Sequence, residues 1–526
     1  MNAMRSYDLI VLGAGPAGEK GAALAAHFGK SVALVQSEVV PGGACVNTGT
    51  IPSKTLRESA LHLSGFKQRG LHSVDMALKG DITVSDFLQR KREVCEKEWD
   101  LIEENLRWHG IERYRGIGRF ISPHEIVVDT AGHDISLHGE VILIATGSSP
   151  FRASHIPFDD ECIYDSDTIL DLDRIPKTMA VVGAGVIGCE YASIFAALGI
   201  RVTLIDGRTE LLGHVDREIV DVLLREMKNR LRINLQLGNN VDNIIVNKDC
   251  VDLKLTNGRT ISAEKVLFAG GRQSNTAELQ LDQIGVTIGE RGILPVNEYY
   301  QTNVPHIYGA GDVIGFPALA STSMEQARVA VVNAFNLPYE TELVKQWPYG
   351  IYTIPEMSMI GKSEEDCLKA GIDYEIGRAY YRNNARGQII GDTAGMIKLV
   401  FNPEDHKLLG IHIVGESASE LIHTGMMVMQ LNGTIDAFVQ TVFNYPTLGD
   451  IYKQAADDGL SRIARRRKRQ DSIMSEADEL EASLAARIKG KNKNGSTPTN
   501  GHTYNAGRAE AGALQVDAPS VRVDES

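Results

Sequence analysis

Two glycine-rich turns, each entered from a short apolar run and left through a helical stretch, constrain this chain more than any other feature. Residues Tyr7 to Leu12 read as a strand, Gly13-Ala14-Gly15-Pro16-Ala17-Gly18 follows, and an alanine-rich stretch runs on through Ala26. The first glycine permits a tight turn, the second lets backbone amides approach a pyrophosphate, and the third lets helix and strand pack closely; the helix N-terminus favours negative charge. One such match often has only a packing reason. The pattern recurs, however: Met179 to Val182 lead into Gly183-Ala184-Gly185-Val186-Ile187-Gly188, then a helix through Leu198, then the strand Arg201 to Ile205. Two units predict an α/β chain with two Rossmann-like dinucleotide-binding domains and two bound dinucleotides.

Counting from the first glycine of each unit, Gln36 and Asp206 occupy the same offset of 23 residues, where an acid usually takes the ribose hydroxyls. The first unit therefore departs from the pattern, and either the Gln36 amide or the Glu38 carboxylate is left to meet the ribose. In the second unit Asp206 favours the free 2'-hydroxyl of NAD, whereas Arg208, and Arg201 beside it, offer a partner for the 2'-phosphate of NADP.

Longer strings are more specific than glycine spacing. They are Gly42-Gly43-Ala44-Cys45-Val46-Asn47-Thr48-Gly49-Thr50-Ile51-Pro52-Ser53-Lys54; Gly116 to Phe120; Val141 to Gly147, ending in Ala145-Thr146-Gly147; and Ala269-Gly270-Gly271-Arg272. Further on come Thr302 to Asp312, Ile351 to Glu356, Gly415 to Gly425 and Phe443-Asn444-Tyr445-Pro446-Thr447. In this order, from about Tyr7 to Ile463, they resemble the class I flavoprotein disulfide reductase family.

The resemblance implies FAD in the first unit, held by Gly13, Gly15, Gly18, Gln36, Glu38, Gly43, Cys45, Gly118, Ala145, Thr146, Gly147 and Asp312, the last toward the ribityl chain. It implies NAD or NADP in the second, held by Gly183, Gly185, Gly188, Asp206, Arg208 and Gly271. Lys54 and Glu190 match the charged pair that this family places at flavin N5. A homodimer follows by the same route, because Tyr445 and Asp450 stand where a histidine and a glutamate reach across the family's subunit interface. Higher homo-oligomers are left open.

Three departures narrow the chemistry. Thr50 replaces the second redox cysteine, so Cys45 has no thiol with which to form an internal disulfide. Tyr445 and Asp450 replace the histidine and glutamate, and a tyrosine of reference pKa about 10 is a poor proton shuttle for thiols. With the thiol machinery gone and the nucleotide machinery intact, the expected activity is FAD-dependent hydride transfer between NADPH and NAD+. It would run as a ping-pong relay through reduced flavin at one nucleotide pocket, balancing the NADH and NADPH pools. Two alternatives use the same residues: an NAD(P)H diaphorase or quinone reductase, and a non-catalytic FAD-binding interaction protein.

Composition agrees. The 526 residues carry a net charge of -14, which argues against nucleic-acid binding, and no apolar run is long enough to cross a bilayer. The six cysteines lack metal-ligand spacing, no metal is expected, and no basic leader precedes the first strand, so the expected home is the cytoplasm. The motif order suggests an FAD domain over 1–158, an NAD(P) domain over 159–272, an FAD/central segment over 273–345, an α+β interface domain over 346–464 and a basic tail over 465–526. In that tail Arg465 to Arg469 form a basic run, Ile473, Ala477, Leu480, Leu484 and Ile488 recur at helical spacing, and the chain from Gly490 reads as disordered.

Overall fold

The computed structural model describes residues 4–64, 83–130, 132–339 and 346–491. Its first sheet is built on the two strands that flank the first glycine turn. Arg5–Leu12 runs parallel to Val32–Gln36 on one side and to Asp134–Ile144 on the other. All five residues of Val32–Gln36 are buried, as expected of a parallel strand covered on both faces. Ile307–Gly309 returns from much later in the chain to pair with the end of Asp134–Ile144, with Gly309 opposite Ile144. That late pairing carries Asp312 to the mouth of the first glycine turn. Helix Pro16–His27 crosses beneath, and Gly21 lets it approach closely, since a Cβ there would lie 2.7 Å from Leu143 Cδ2 and 3.4 Å from Ala327 Cβ of helix Ala320–Phe335.

The second glycine turn sits in a five-stranded parallel sheet, ordered Asn234–Leu237, Arg201–Asp206, Thr178–Val182, Lys265–Phe268, Ile163–Tyr164. Helix Val186–Ala197 is buried along every residue from Gly188 to Ala197. Its composition explains this: apart from Glu190 and Ser193 it offers no strongly polar side chain, and an all-apolar helix must be covered all round. The sheet covers one side and helix Thr50–Leu63 the other, which brings Glu190 toward Lys54.

A third region is antiparallel: Tyr349–Ile351, Met357–Gly361, Leu408–Val414, Met396–Phe401 and Glu375–Tyr380 form one sheet. Helix Ala418–Gln430 seats on it through Gly425, where a Cβ would lie 2.2 Å from Ile411 Cδ1. The expected class, two Rossmann-like domains and a C-terminal α+β domain, is the one observed. Among the described residues no helix is long and apolar enough to cross a membrane.

Helix Ile451–Lys491 carries the chain from one compact unit, ending at Ile463, into a second that starts at Ala464. The expected tail thus begins as helix, basic run included, and residues 492–526, with most of the stretch that reads as disordered, lie outside the described residues.

Candidate active site

The first glycine turn is a cradle in which Gly13, Gly18 and the neighbouring Gly43 have a steric reason to be glycine. Gly13 has φ +105°, and a Cβ on it would lie 2.3 Å from the Ala145 carbonyl oxygen; one on Gly18 would lie 1.9 Å from the Gly13 oxygen. Gly43, at φ +52°, approaches Gly15 so closely that its Cβ would lie 2.9 Å from the Gly15 Cα. The Gly15 N-cap supplies no side-chain cap to helix Pro16–His27, so the amides of its first turn remain available for an anion. Ala145, Thr146 and Gly147 close the floor: Ala145 N donates to Leu12 O at 2.8 Å and Thr146 Oγ1 to Asn275 O at 2.7 Å. Gly118 fits against Leu12 and Val35, and a Cβ there would lie 3.0 Å from Leu12 Cδ2.

Gln36 and Glu38, left as alternatives by the sequence, differ sharply here. The Gln36 side chain is buried, and its Nε2 donates to the Glu38 carbonyl at 2.8 Å. Its Oε1 is buried with no hydrogen-bond partner. A buried acceptor left unpaired costs about 1–3 kcal/mol, so this atom needs a donor from outside the chain, and a ribose hydroxyl is such a donor. Glu38 is exposed. The glycine cradle together with this orphaned acceptor fits an adenine dinucleotide.

Asp312 reaches the same site and is held from behind. Ser148 Oγ donates to Asp312 Oδ2 at 2.8 Å, and Arg272 Nε donates to Ser148 Oγ at 2.8 Å. Arg272 Nη1 is 3.3 Å from Asp167 Oδ1; burial pushes the Asp167 carboxyl up, and the Arg272 guanidinium opposes this.

The second glycine turn repeats the first. Gly183 has φ +107°, with a Cβ position 2.5 Å from the Ala269 oxygen, and that of Gly188 lies 1.8 Å from the Gly183 oxygen. Gly185 leaves open space, and Gly271, at φ +100°, bends the loop beyond. Asp206 accepts from Ala184 N at 2.5 Å, Arg208 N at 2.8 Å, Arg208 Nε at 3.0 Å and Arg208 Nη2 at 2.8 Å. Burial pushes this carboxyl up, but the Arg208 guanidinium and the two amides outweigh it and hold it below the ordinary range. Arg201 is at the opposite end of the strand Arg201–Asp206, about 16 Å away at the usual rise per residue, so it is no partner for the same phosphate.

Between the two cradles lies the charged pair. Lys54 Nζ is 2.8 Å from Glu190 Oε2, and Glu190 Oε1 accepts from the Tyr352 amide at 2.8 Å. Lys54 also lies 4.9 Å from the centre of the Tyr352 ring. Glu190 is buried and Lys54 partly so. Cys45 and Thr50 face each other across the bend between helices Gly43–Asn47 and Thr50–Leu63. Burial pushes the Cys45 thiol up, and a hydrogen bond from Thr50 works against it. Tyr445 and Asp450 are not among the partners of Lys54 and Glu190. Tyr445 is 76 % exposed, and Asp450 accepts from Gln454 Nε2 at 2.8 Å.

The sequence had pointed to neither Ser148 nor Asp167, and it gave Tyr352 and Arg272, each inside a motif string, no role. Their partners lie more than a hundred residues away, so no local pattern marks them.

Comparison with known proteins places this geometry. A family model described as pyridine nucleotide-disulphide oxidoreductase matches residues 7–333, and the model of that family's dimerisation domain matches 347–456. A soluble pyridine nucleotide transhydrogenase of Mycobacterium tuberculosis is 46% identical over 464 residues, covering 88% of this chain and 98% of its own. One from a Marinomonas species is 40% identical, covering 87% and 99%. Among solved structures, LpdA of Mycobacterium tuberculosis superposes with a TM-score of 0.79 at 25% identity, covering 86% of this chain and 99% of its own. An HOCl-induced flavoprotein disulfide reductase of Escherichia coli does so with a TM-score of 0.77 at 26% identity, covering 86% and 99%. With its family models spanning most of its length and its relatives this similar, the chain belongs to the pyridine nucleotide-disulphide oxidoreductases.

Proposed function

We propose that this chain is a soluble pyridine nucleotide transhydrogenase, moving a hydride between NADPH and NAD+. The observation that carries the reading is a contrast: both dinucleotide cradles are sterically complete, while Thr50 leaves Cys45 without a redox partner. The curated relatives that cover 87–88% of the chain bear that name. FAD, when bound, supplies the one chemistry the side chains lack, acceptance of a hydride from one nicotinamide and its return to another.

The chain's own residues do the rest. Gly13, Gly15, Gly18 and Gly43 admit the FAD pyrophosphate to the free amides of helix Pro16–His27, and Gln36 Oε1 accepts from a ribose hydroxyl. Asp312, braced by Ser148 and Arg272, takes hydrogen bonds from the ribityl chain. Lys54 sets a positive charge where the isoalloxazine gathers negative charge, and Glu190 with the Tyr352 ring keeps that ammonium in place. In the second cradle Asp206 accepts from the 2'-hydroxyl of NAD, and Arg208, turned off Asp206, meets the 2'-phosphate of NADP. One pocket then serves both nucleotides in turn.

The same reading includes a homodimer. The dimerisation-domain match covers 347–456, and within it Tyr445, Val442 and Leu431 are exposed, a surface suited to a second copy. Tyr445 would then border the partner's flavin. A cytoplasmic home is supported by six cysteines, all unpaired.

Anaerobic stopped-flow tests the proposal. The yellow protein should bleach rapidly with NADPH, and mixing it next with NAD+ should restore the colour as NADH forms. Recovery only when a quinone is added would replace the transhydrogenase by a diaphorase, and no bleaching by either nucleotide would leave a binding protein.

A further inference from the structure

The second cradle has two flanks. Strand Thr178–Val182, which leads into the second glycine turn, pairs with Arg201–Asp206 on one side and with Lys265–Phe268 on the other. A dinucleotide in such a fold lies across the ends of these strands, its pyrophosphate at the turn. Helix Val186–Ala197 offers the pyrophosphate its first-turn amides, since Gly185 supplies no side-chain cap. Asp206, with Arg208 beside it, marks the adenosine flank, so the nicotinamide half lies toward the loop that follows Phe268.

That flank has a cation of its own. A Cβ on Gly271 would lie 3.2 Å from Arg291 Nη1, so the Arg291 guanidinium rests against the loop two residues past Ala269, whose carbonyl crowds Gly183. The guanidinium carbon also lies 5.5 Å from the centre of the Phe151 ring, and the Phe151 amide donates to Gly271 O at 3.0 Å. The backbone behind it is fixed. Arg291 and Gly292 are consecutive left-handed residues, at φ +53° and +77°, and Gly292 O accepts from Thr276 Oγ1 at 2.8 Å. A side chain in that region is strained and persists only where its surroundings hold it there. Among the described residues no carboxylate pairs with Arg291, and Arg291, Phe151, Gly270 and Gly271 are all exposed. A guanidinium with one face on an aromatic ring keeps its edge N–H groups for a phosphate.

We propose that Arg291 binds the pyridine nucleotide on its nicotinamide side, its guanidinium taking the phosphate that NAD and NADP have in common. This rests on the reading above that the second cradle holds both nucleotides. Arg208 then sets the choice between them, and Arg291 the affinity for either.

Isothermal titration of the oxidised, FAD-loaded protein tests it, with NAD+, NADP+ and 5'-AMP as separate probes. Arg291→Gln should weaken NAD+ and NADP+ alike by about tenfold and leave 5'-AMP within about twofold. Arg291→Gly, which suits the left-handed backbone, should do the same, and Arg291→Lys should recover most of the loss. Added KCl should narrow the gap between wild type and Arg291→Gln, as a contact between charges requires. Unchanged affinity in Arg291→Gln would overturn the inference. So would an equal loss for 5'-AMP, or a lysine no better than glutamine, since either would make Arg291 a brace for the loop. The earlier reading fails separately: a wild type that binds both nucleotides yet relays no hydride would sink the transhydrogenase and leave Arg291 its role, whereas one that binds neither would sink both.

Discussion

At Asp206 one carboxylate satisfies two amides and a guanidinium, and which of these it gives up decides which nucleotide enters. The Arg208 head is largely exposed, so its ion pair with Asp206 is worth little and can be exchanged for a ligand contact. A phosphate gained by Arg208 is another matter, since charge-assisted hydrogen bonds of this kind contribute about 1.5–3 kcal/mol. Arg208→Ala is therefore expected to raise KM for NADPH by about 10- to 100-fold. KM for NADH should move by no more than about threefold, because Asp206 keeps its amide partners. Initial-rate kinetics on each nucleotide separately would check this. Equal losses on both would reduce Arg208 to a brace for Asp206.

At the scale of elements, the bend between helices Gly43–Asn47 and Thr50–Leu63 separates this chain from its disulfide-reducing relatives. The Thr50 hydroxyl already reaches the Cys45 sulfur, so Thr50→Cys is expected to close a disulfide and remove two thiols from the count of the oxidised, denatured protein. On the proposed reading, in which Tyr445 takes the place of the base, glutathione turnover should nonetheless stay absent; turnover from Thr50→Cys alone would refute that division of labour. Thr50 and the glycines were legible because their effects are local: a missing thiol, a turn that a Cβ would block. Lys54 and Glu190 were legible because each follows a motif at a fixed offset. The brace from Arg272 through Ser148 to Asp312 was not, since it joins strands that meet only after the chain has folded across 124 and 164 positions. Gln36 lies between these cases. The sequence shows an amide where an acid is usual, but only burial reveals that its oxygen is left without a donor.

At the scale of the whole molecule, the antiparallel sheet must be held against the second cradle, because the turn between its strands Tyr349–Ile351 and Met357–Gly361 carries Tyr352, Thr353 and Ile354, which bind Glu190, Arg57 and Ser193 around the candidate site. A cluster built on a fully buried pair, Lys398 and Asp216, does much of this holding. Lys398 Nζ, on strand Met396–Phe401, lies 2.8 Å from Asp216 Oδ2 and 3.3 Å from Glu218 Oε2, and it also pairs with Glu364. Asp216 in turn caps helix Arg217–Asn229 through the Glu218 amide at 3.1 Å. Burial pushes the Asp216 carboxyl up, but His412 and Lys398 more than offset it, so the folded value lies below the ordinary one. Its contribution to stability is thus present above the unfolded pKa of about 4 and lost as pH falls through the folded value. Lys398→Met fills the volume but strands the carboxylate, and removing one partner of a buried pair costs about 3–5 kcal/mol. At pH 7 the urea midpoint should fall accordingly. Without Lys398 burial dominates, the Asp216 pKa rises, and protonation relieves the variant before it touches the wild type. The stability gap should therefore narrow from pH 7 toward pH 5; a gap constant across that range would mean that Lys398 acts there through its packed methylenes and not through its charge.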